Sequence, residues 1–108
     1  AISAPTFGKS LGWGVLACQD WPYSAQTVIT ITRNTSAPVM LVTAENDPAT
    51  PAKWATDVAV KLGNAELVIW EDGYNHTAYR EGSDCVTDRV DAYLLEGIIS
   101  PGTTTTCN

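Results

Sequence analysis

The sequence has few basic residues and no long apolar run. Lysine and arginine number 6 against 12 aspartates and glutamates, which gives a formal net charge of -6. Nucleic acid and anionic membranes both need a basic face on the protein that binds them, so we exclude both partners. No stretch approaches the run of about 18 apolar residues that a membrane-spanning helix needs. The 108 residues, 44% of them apolar, suffice for one modest globular domain or a piece of a larger one.

A secretory leader and a metal-binding cluster are also missing. No basic segment followed by an apolar one opens the chain, which starts at Ala1 rather than methionine, so we expect any targeting signal to have been removed. Cys18, Cys85 and Cys107 form no C-x-x-C pair, and the sequence has one histidine. We therefore predict disulfide bonding in a secreted protein, with one cysteine left over and with neither a metal nor a cofactor.

Residues 1–36 lack a regular hydrophobic period. Glycine and proline interrupt them, and their apolar residues cluster without helical or strand-like spacing. We predict an irregular segment, with one short helix near 24–31, that leads into the core and is a candidate remnant of a cap or lid.

Residues 37–108 show an ordered pattern of strands and helices. Continuous apolar runs, "PVMLVTA" and "AELVIWE", are typical of strands buried on both faces of a parallel sheet. An amphipathic helix that ends at Gly63 separates them, and a second helix ends at Gly97. The tail "SPGTTTTCN" is predicted to be irregular. This order predicts an α/β fold: a right-handed βαβ unit with a covering helix, too small to be a complete doubly wound sheet.

Residue types that serve in catalysis follow both predicted strands. Asp47 lies in the loop after the first strand, and His76, the single histidine, lies in the loop after the second. Neighbouring parallel strands lie about 4.8 Å apart, so these loops can bring the carboxylate against the imidazole and fix its tautomer. The alternative is that "NDP" only starts a turn and that the histidine is a surface residue. The paired placement favours two members of a Ser-His-Asp triad.

Three longer stretches carry a resemblance to a known family. They are "SAPVMLVTAENDPATP", "ELVIWEDGYNHT" and "CVTDRVDAYLLEGIISPGTTTTC". Together they resemble the C-terminal domain of α/β-hydrolases related to the tripeptidyl aminopeptidases, of the proline-iminopeptidase type. The resemblance covers roughly residues 15–107 and rests on D-P-x-T-P, G-x-x-H-T and the final pair of cysteines.

The resemblance implies the C-terminal part of an α/β-hydrolase fold, in a secreted serine hydrolase that acts on peptides with free amino termini or on esters. In that family the aspartate of D-P-x-T-P, here Asp47, orients the later histidine, here His76, and the nucleophilic serine lies far upstream. We expect Thr50 to brace the aspartate loop. The family usually has glycine directly before the histidine, where this chain has Asn75; asparagine tolerates left-handed backbone angles, so we expect the loop to keep its shape.

The cysteines lead to an expectation about the partner. We predict a disulfide between Cys85 and Cys107 that fixes the tail across the last helix. Cys18 is then left over, and an odd cysteine in a secreted protein suggests pairing outside the chain. We expect the serine to lie on an N-terminal chain or segment of the same hydrolase, bonded to Cys18, with proteolytic maturation as one route to the split. This chain alone is expected to be inactive.

The stretch "GKSLG" at residues 8–12 matches the G-x-S-x-G spelling of a nucleophile elbow. The residues before it include a proline and no β-branched apolar run, and too few residues separate it from the first strand for the elements that normally intervene. We therefore interpret Ser10 as a chance match, although the order Ser, Asp, His agrees with this fold.

Two further sets of residues receive structural interpretations. Acidic residues near the last helix fit a solvated face better than a metal site. The tryptophans fit packing, although Trp21 could line a substrate pocket. The two sets are Asp84, Asp88 and Asp91, and Trp13, Trp21, Trp54 and Trp70.

Two functions of different kinds remain open. One is the enzyme part described above, which supplies Asp47 and His76 to the hydrolysis of peptides or esters. The other is a non-catalytic binding or accessory module that keeps the fold after losing the serine half. An upstream segment with the order strand, G-x-S-x-G and helix would decide for the enzyme.

Overall fold

A computed structural model describes residues 8–14, 16, 19–23 and 37–108. The helix expected near 24–31 and Cys18 lie outside the described residues. The elements in chain order are α1 (Gly8–Gly14), β1 (Val39–Ala44), α2 (Ala52–Leu62), β2 (Ala65–Trp70), α3 (Asp84–Glu96) and β3 (Thr104–Cys107).

Helix α1 departs from the prediction of an irregular start. It spans 7 residues that include glycines at both of its ends. A glycine weakens a helix by about 1 kcal/mol relative to alanine without forbidding it, so glycine content alone was a poor guide here.

The strands form one parallel sheet in the order β1-β2-β3, with β2 in the centre. Val39 pairs with Ala65 across β1 and β2, and Leu67 pairs with Thr104 across β2 and β3. Strand β3 corrects the prediction of an irregular tail. Its threonines look like a polar tail in the sequence, but threonine is β-branched and suits an edge strand that is partly exposed.

Both long helices end where the sequence predicted. Gly63 after α2 and Gly97 after α3 each have a φ of 70°, a left-handed conformation that glycine adopts without steric cost. Pro51 directly precedes α2, and its fixed φ and missing N–H are compatible with a helix start. Ser83 caps α3 by accepting a hydrogen bond from the amide of Val86.

The helices cover opposite faces of the sheet. Val68 of β2 packs with Val86 and Val90 of α3 in a fully buried cluster. Leu67, the next residue and therefore on the other face, lines a shallow groove together with Ala59 of α2. Strand β2 therefore lies between the two helices, and a loop leaves the sheet at its carboxyl end. Among the described residues, no helix has the length and apolar character needed to cross a membrane.

A buried ion pair, which the sequence analysis missed, joins β2 to α3. Glu66 is completely buried, and its carboxylate accepts hydrogen bonds from the guanidinium of Arg89, the amide of Ser100 at 2.7 Å and the hydroxyl of Thr105 at 3.1 Å. Burial raises the pKa of Glu66, but the bonds from Arg89, Ser100 and Thr105 outweigh it and leave the pKa below its ordinary value. A charged residue can therefore occupy a central parallel strand.

A disulfide joins Cys85 in the first turn of α3 to Cys107 at the end of β3, with 5.5 Å between their Cα atoms. It ties the last strand to the helix that covers the sheet. The side chain of Ser83 also donates to the carbonyl of Asn108 at 2.8 Å, so the residue after Cys107 is held next to the start of α3 as well.

Candidate active site

Asp47 and His76 lie at the same edge of the sheet. Strand β1 ends at Ala44 and β2 ends at Trp70, and these two residues are paired in the parallel register. The loops that carry the aspartate and the histidine therefore leave the sheet side by side, at the position where α/β sheets usually place functional groups.

Hydrogen bonds between the two loops fix their spacing. The amide of Asn46 donates to the carbonyl of Gly73 at 2.7 Å, and the amide of Asp72 donates to the carboxylate of Glu45 at 3.0 Å. Glu45 could not be recognised from the sequence, because an exposed glutamate after a strand is an ordinary surface residue.

The carboxylate of Asp47 is held by the residues that follow it. Its side chain is 3% exposed. Oδ1 accepts from the amides of Ala49 at 2.7 Å and Thr50 at 2.8 Å, and Oδ2 accepts from the hydroxyl of Thr50 at 2.8 Å. Pro48 has no N–H, so the turn presents the next two amides to the carboxylate. Two of these contacts, from the amide and the hydroxyl of Thr50, are of the kind expected of a residue that braces the loop.

These contacts keep Asp47 ionised. Burial by itself raises the pKa of this carboxyl group, because it disfavours the charged form. The amides of Thr50 and Ala49, the Thr50 hydroxyl and His76 together outweigh burial and hold the pKa of Asp47 well below its ordinary value. At neutral pH a negative charge therefore lies at the edge of the sheet.

His76 faces that charge with one ring nitrogen. Its Nδ1 lies 3.2 Å from both Oδ1 and Oδ2 of Asp47 and 3.5 Å from the hydroxyl of Thr50. Since an ionised carboxylate can only accept hydrogen bonds, Nδ1 carries the ring proton and Nδ1–H donates the hydrogen bond, which leaves the lone pair of the neutral ring on Nε2. The side chain of His76 is 60% exposed. The structure thus brings the predicted Asp47, His76 and Thr50 together.

In the loop around His76, the left-handed backbone conformation considered for Asn75 occurs at other residues. Among the described non-glycine residues, Asp72 (φ 56°) and Arg80 (φ 62°) have a positive φ, so Asn75 does not take the left-handed conformation considered for it. Its side-chain amide instead donates to the carboxylate of Glu81 at 3.1 Å and ties the two arms of the loop together.

The acidic residues of α3 differ in their surroundings. Among the described residues, no group of three potential ligands converges on one point. Asp84 and Asp88 are exposed, as expected of a solvated face. Asp91 differs, because it accepts a hydrogen bond from the hydroxyl of Tyr79 at 2.6 Å. That bond is the main reason that the pKa of Tyr79 is raised, and it anchors the histidine loop to α3.

The remaining candidates are Ser10 and the tryptophans. Ser10 lies within helix α1, and the residues before that helix are outside the described ranges. Among the described residues, the expected packing is seen for Trp70, which packs on the core. Trp13, Trp21 and Trp54 are 68%, 67% and 58% exposed, and the ring of Trp21 meets that of Tyr23 edge to face, with 6.1 Å between the ring centroids.

A family model described as TAP-like protein matches residues 4–107. The chain belongs to the TAP-like family of α/β-hydrolases. The predicted family and the predicted fold, part of an α/β-hydrolase with parallel strands and flanking helices, are both confirmed. No solved structure matches the chain significantly.

Several curated relatives are named as hydrolases. The chain is 34% identical over 86 residues to the tripeptidyl aminopeptidase of Streptomyces lividans, covering 79% of this chain and 16% of that protein. It is 38% identical over 89 residues to carboxylesterase B of Mycobacterium tuberculosis, covering 78% of this chain and 16% of that protein. It is 32% identical over 98 residues to the serine protease Hip1 of the same organism, covering 89% and 18%. This TAP-like chain therefore belongs to a family of serine hydrolases and spans less than a fifth of the length of these relatives.

Proposed function

We propose that this chain supplies the aspartate and the histidine of a Ser-His-Asp triad in a secreted hydrolase of peptides or esters. The observation that carries the proposal is the approach of His76 Nδ1 to 3.2 Å from both carboxylate oxygens of Asp47. Relatives named as an aminopeptidase, a serine protease and a carboxylesterase support acyl transfer to a serine as the shared chemistry.

The geometry suits a general base that later acts as an acid. Nε2 of His76 takes the proton of the serine hydroxyl while the serine oxygen attacks the acyl carbon of the substrate. Asp47 stays ionised and stabilises the imidazolium. Nε2–H then protonates the leaving amine or alcohol, the acyl–leaving-group bond breaks, and an acyl-serine remains. Water attacks that ester with the same nitrogen as base, and the acid is released with free serine restored.

The serine belongs, in this proposal, to an N-terminal chain or segment of the same hydrolase that packs against these residues. His76 is 60% exposed, as a general base must be before its serine partner is in place. Strand β1 pairs with β2 on one side, and no described strand pairs with its other side. Cys18, which lies outside the described residues, is the proposed covalent link.

The substrate is proposed to be a peptide with a free amino terminus, with an ester as the alternative. Secretion is supported by the bond between Cys85 and Cys107, since disulfides persist mainly in oxidising compartments.

Labelling with a fluorophosphonate tests the proposal on the complete protein that carries this sequence. We expect the wild-type protein to be labelled at a serine and the His76→Ala variant, still folded by circular dichroism, to lose the label. Asp57→Asn is the control, because Asp57 only pairs with Lys53 on the surface of α2. Full labelling of His76→Ala would overturn the assignment of His76 to the triad, whereas no labelling of the wild type would favour the accessory module.

A further inference from the structure

We propose that Trp70 is a positioning residue for His76 and that its indole ring fixes both ends of the histidine loop, residues 73–82. The inference rests on the proposed function, because it concerns how precisely the imidazole is held for catalysis. Trp70 is the last residue of β2.

The first contact is at the start of the loop. A Cβ atom built on Gly73 would lie 2.4 Å from Cδ2, 2.6 Å from Cε3 and 2.7 Å from Cγ of Trp70. Such distances are shorter than any that real Cβ atoms tolerate, so the backbone at Gly73 lies directly against the ring. Any side chain at this position would push the loop off the indole.

The second contact is at the end of the loop and involves the opposite edge of the same ring. A Cβ atom on Gly82 would lie 3.1 Å from Cη2 and 3.2 Å from Cζ2 of Trp70. Gly82 also has a φ of 142°, a conformation that residues with a side chain rarely adopt. One rigid ring therefore meets the backbone on both sides of His76.

The ring is itself held by the sheet. The carbonyl of Trp70 accepts from the amide of Glu45, where the aspartate loop begins, at 3.0 Å and from the amide of Gly73 at 3.2 Å. Trp70 pairs with Cys107 across β2 and β3, and its side chain packs on the core cluster. The position of the central strand is thus transmitted to the loop that carries His76, and sites built on rigid elements hold their geometry best.

A competing explanation is that the loop is held by its own anchors. Ala78 is 5% exposed within the core cluster, and Tyr79 is bonded to Asp91. If these anchors suffice, trimming the indole lowers only the stability of the protein. If Trp70 sets the position of the imidazole, trimming it lowers kcat.

The first test is Trp70→Phe in the complete protein. Phenylalanine keeps a ring near Gly73 but lacks the outer atoms that reach Gly82. We expect kcat to fall about 10- to 100-fold with KM little changed, since a 1 Å misplacement of a catalytic group costs rates of that order. The downfield proton resonance of His76 Nδ1–H, identified by its loss in His76→Ala, should shift or broaden. Asp57→Asn, which alters only a surface ion pair of α2 with Lys53, should change none of these quantities.

The second test compares two glycines. Gly82 and Gly102 both have a positive φ, 142° and 77°, but a Cβ on Gly102 would meet nothing within 4 Å. Alanine at either position should lower the melting temperature, because both backbones become strained. Only Gly82→Ala should also lower kcat and move the His76 resonance.

The results separate the two proposals. Unchanged kcat and an unchanged resonance in Trp70→Phe would overturn the positioning role, as would a loss of kcat that follows melting temperature equally in Gly82→Ala and Gly102→Ala. If His76→Ala stayed active, the proposed function would fail instead, and the resonance alone would still report whether Trp70 holds the imidazole.

Discussion

Asp47 is almost fully buried and still carries its charge. The proline after it removes one amide from the turn, and the next two amides and the Thr50 hydroxyl all point at the carboxylate. The amide and hydroxyl dipoles therefore compensate the negative charge without any contribution from His76. The carboxylate can then stay ionised whether or not the imidazole beside it carries a second proton.

The first prediction concerns that charge. Asp47→Asn should lower kcat of the complete protein by about 10⁴-fold, because an amide does not hold the imidazole in the required tautomer. Thr50→Val should be milder, since it removes only one hydrogen bond to the carboxylate, a contact of about 1 kcal/mol. Steady-state kinetics on a peptide or ester substrate measure both. A loss of less than ten-fold in Asp47→Asn would contradict the triad.

The second prediction concerns pH and stability. The pKa values of Asp47 and Glu66 are both lowered in the folded protein, whereas unfolded carboxyl groups titrate at about pH 4. Their stabilising contribution is therefore fully present above that pH and is lost as the pH falls through the lowered values. We expect the free energy of unfolding of the complete protein, measured in urea, to be nearly constant between pH 6 and pH 8 and to drop below about pH 4.

Glu66→Gln is the matched variant for this measurement. It should be less stable than the wild type by about 2 kcal/mol at neutral pH, because Arg89 loses its charged partner. The loss is smaller than for a fully buried ion pair, because the side chain of Arg89 is 30% exposed and water can solvate part of its charge. Its loss of stability in acid should be shallower than that of the wild type. If the free energy of unfolding fell equally with pH in the two proteins, the lowered pKa of Glu66 would not contribute to the loss of stability in acid.

At the scale of elements, the sequence pattern identified β1, α2, β2 and α3 because each has a clear apolar period and glycine at a helix end. It missed β3 and α1, whose residues are polar or glycine-rich and which form through their surroundings. Strand β3 depends on the amide of Leu67, which donates to the carbonyl of Thr103 at 3.0 Å, and on the bond between Cys107 and α3. Neither can be read from a run of threonines.

The third prediction follows from that dependence. Replacing Cys85 and Cys107 together by alanine should destabilise the protein by roughly 3 kcal/mol, mainly because the unfolded chain regains freedom. Residual activity at low temperature should persist, since neither cysteine touches Asp47 or His76. Non-reducing peptide mapping checks the pairing, and a bond from Cys18 to either cysteine would contradict it.

At the scale of the whole molecule, much apolar surface is exposed. No residue of α2 is fully buried, although the helix is amphipathic. Trp54, Val60 and Leu95 are 58%, 77% and 82% exposed, and they lie on both helices that flank the sheet. Large exposed apolar surfaces mark contact sites, and the outer side of β1 has no partner among the described strands, so this surface fits the inner side of a larger hydrolase.

The fourth prediction tests this interpretation. Residues 1–108 expressed alone should aggregate or bind a hydrophobic dye strongly, and coexpression with the segment that carries the serine should give a single species in sedimentation. A monodisperse monomer that melts cooperatively and keeps Cys18 as a free thiol would argue for a stand-alone module instead.

The candidate site was predictable to a different extent at each position. Asp47 and His76 follow from the rule that loops after neighbouring parallel strands meet at one edge, and Thr50 follows from the resemblance. Trp70, Gly73 and Gly82 were not predicted to act together, because their contacts depend on the rotamer of one ring and the path of a loop. A glycine on each side of the single histidine was the only signal in the sequence.

The pairing of Asp47 with His76 within one chain also bears on how the proposed hydrolase would mature. The orientational entropy of the imidazole is lost when β1 and β2 fold, not when the serine arrives. Docking of the serine then has to create one new hydrogen bond, to Nε2. The catalytic proton shuttle would be complete before the enzyme has any activity, and the timing of activation would rest on the docking step alone.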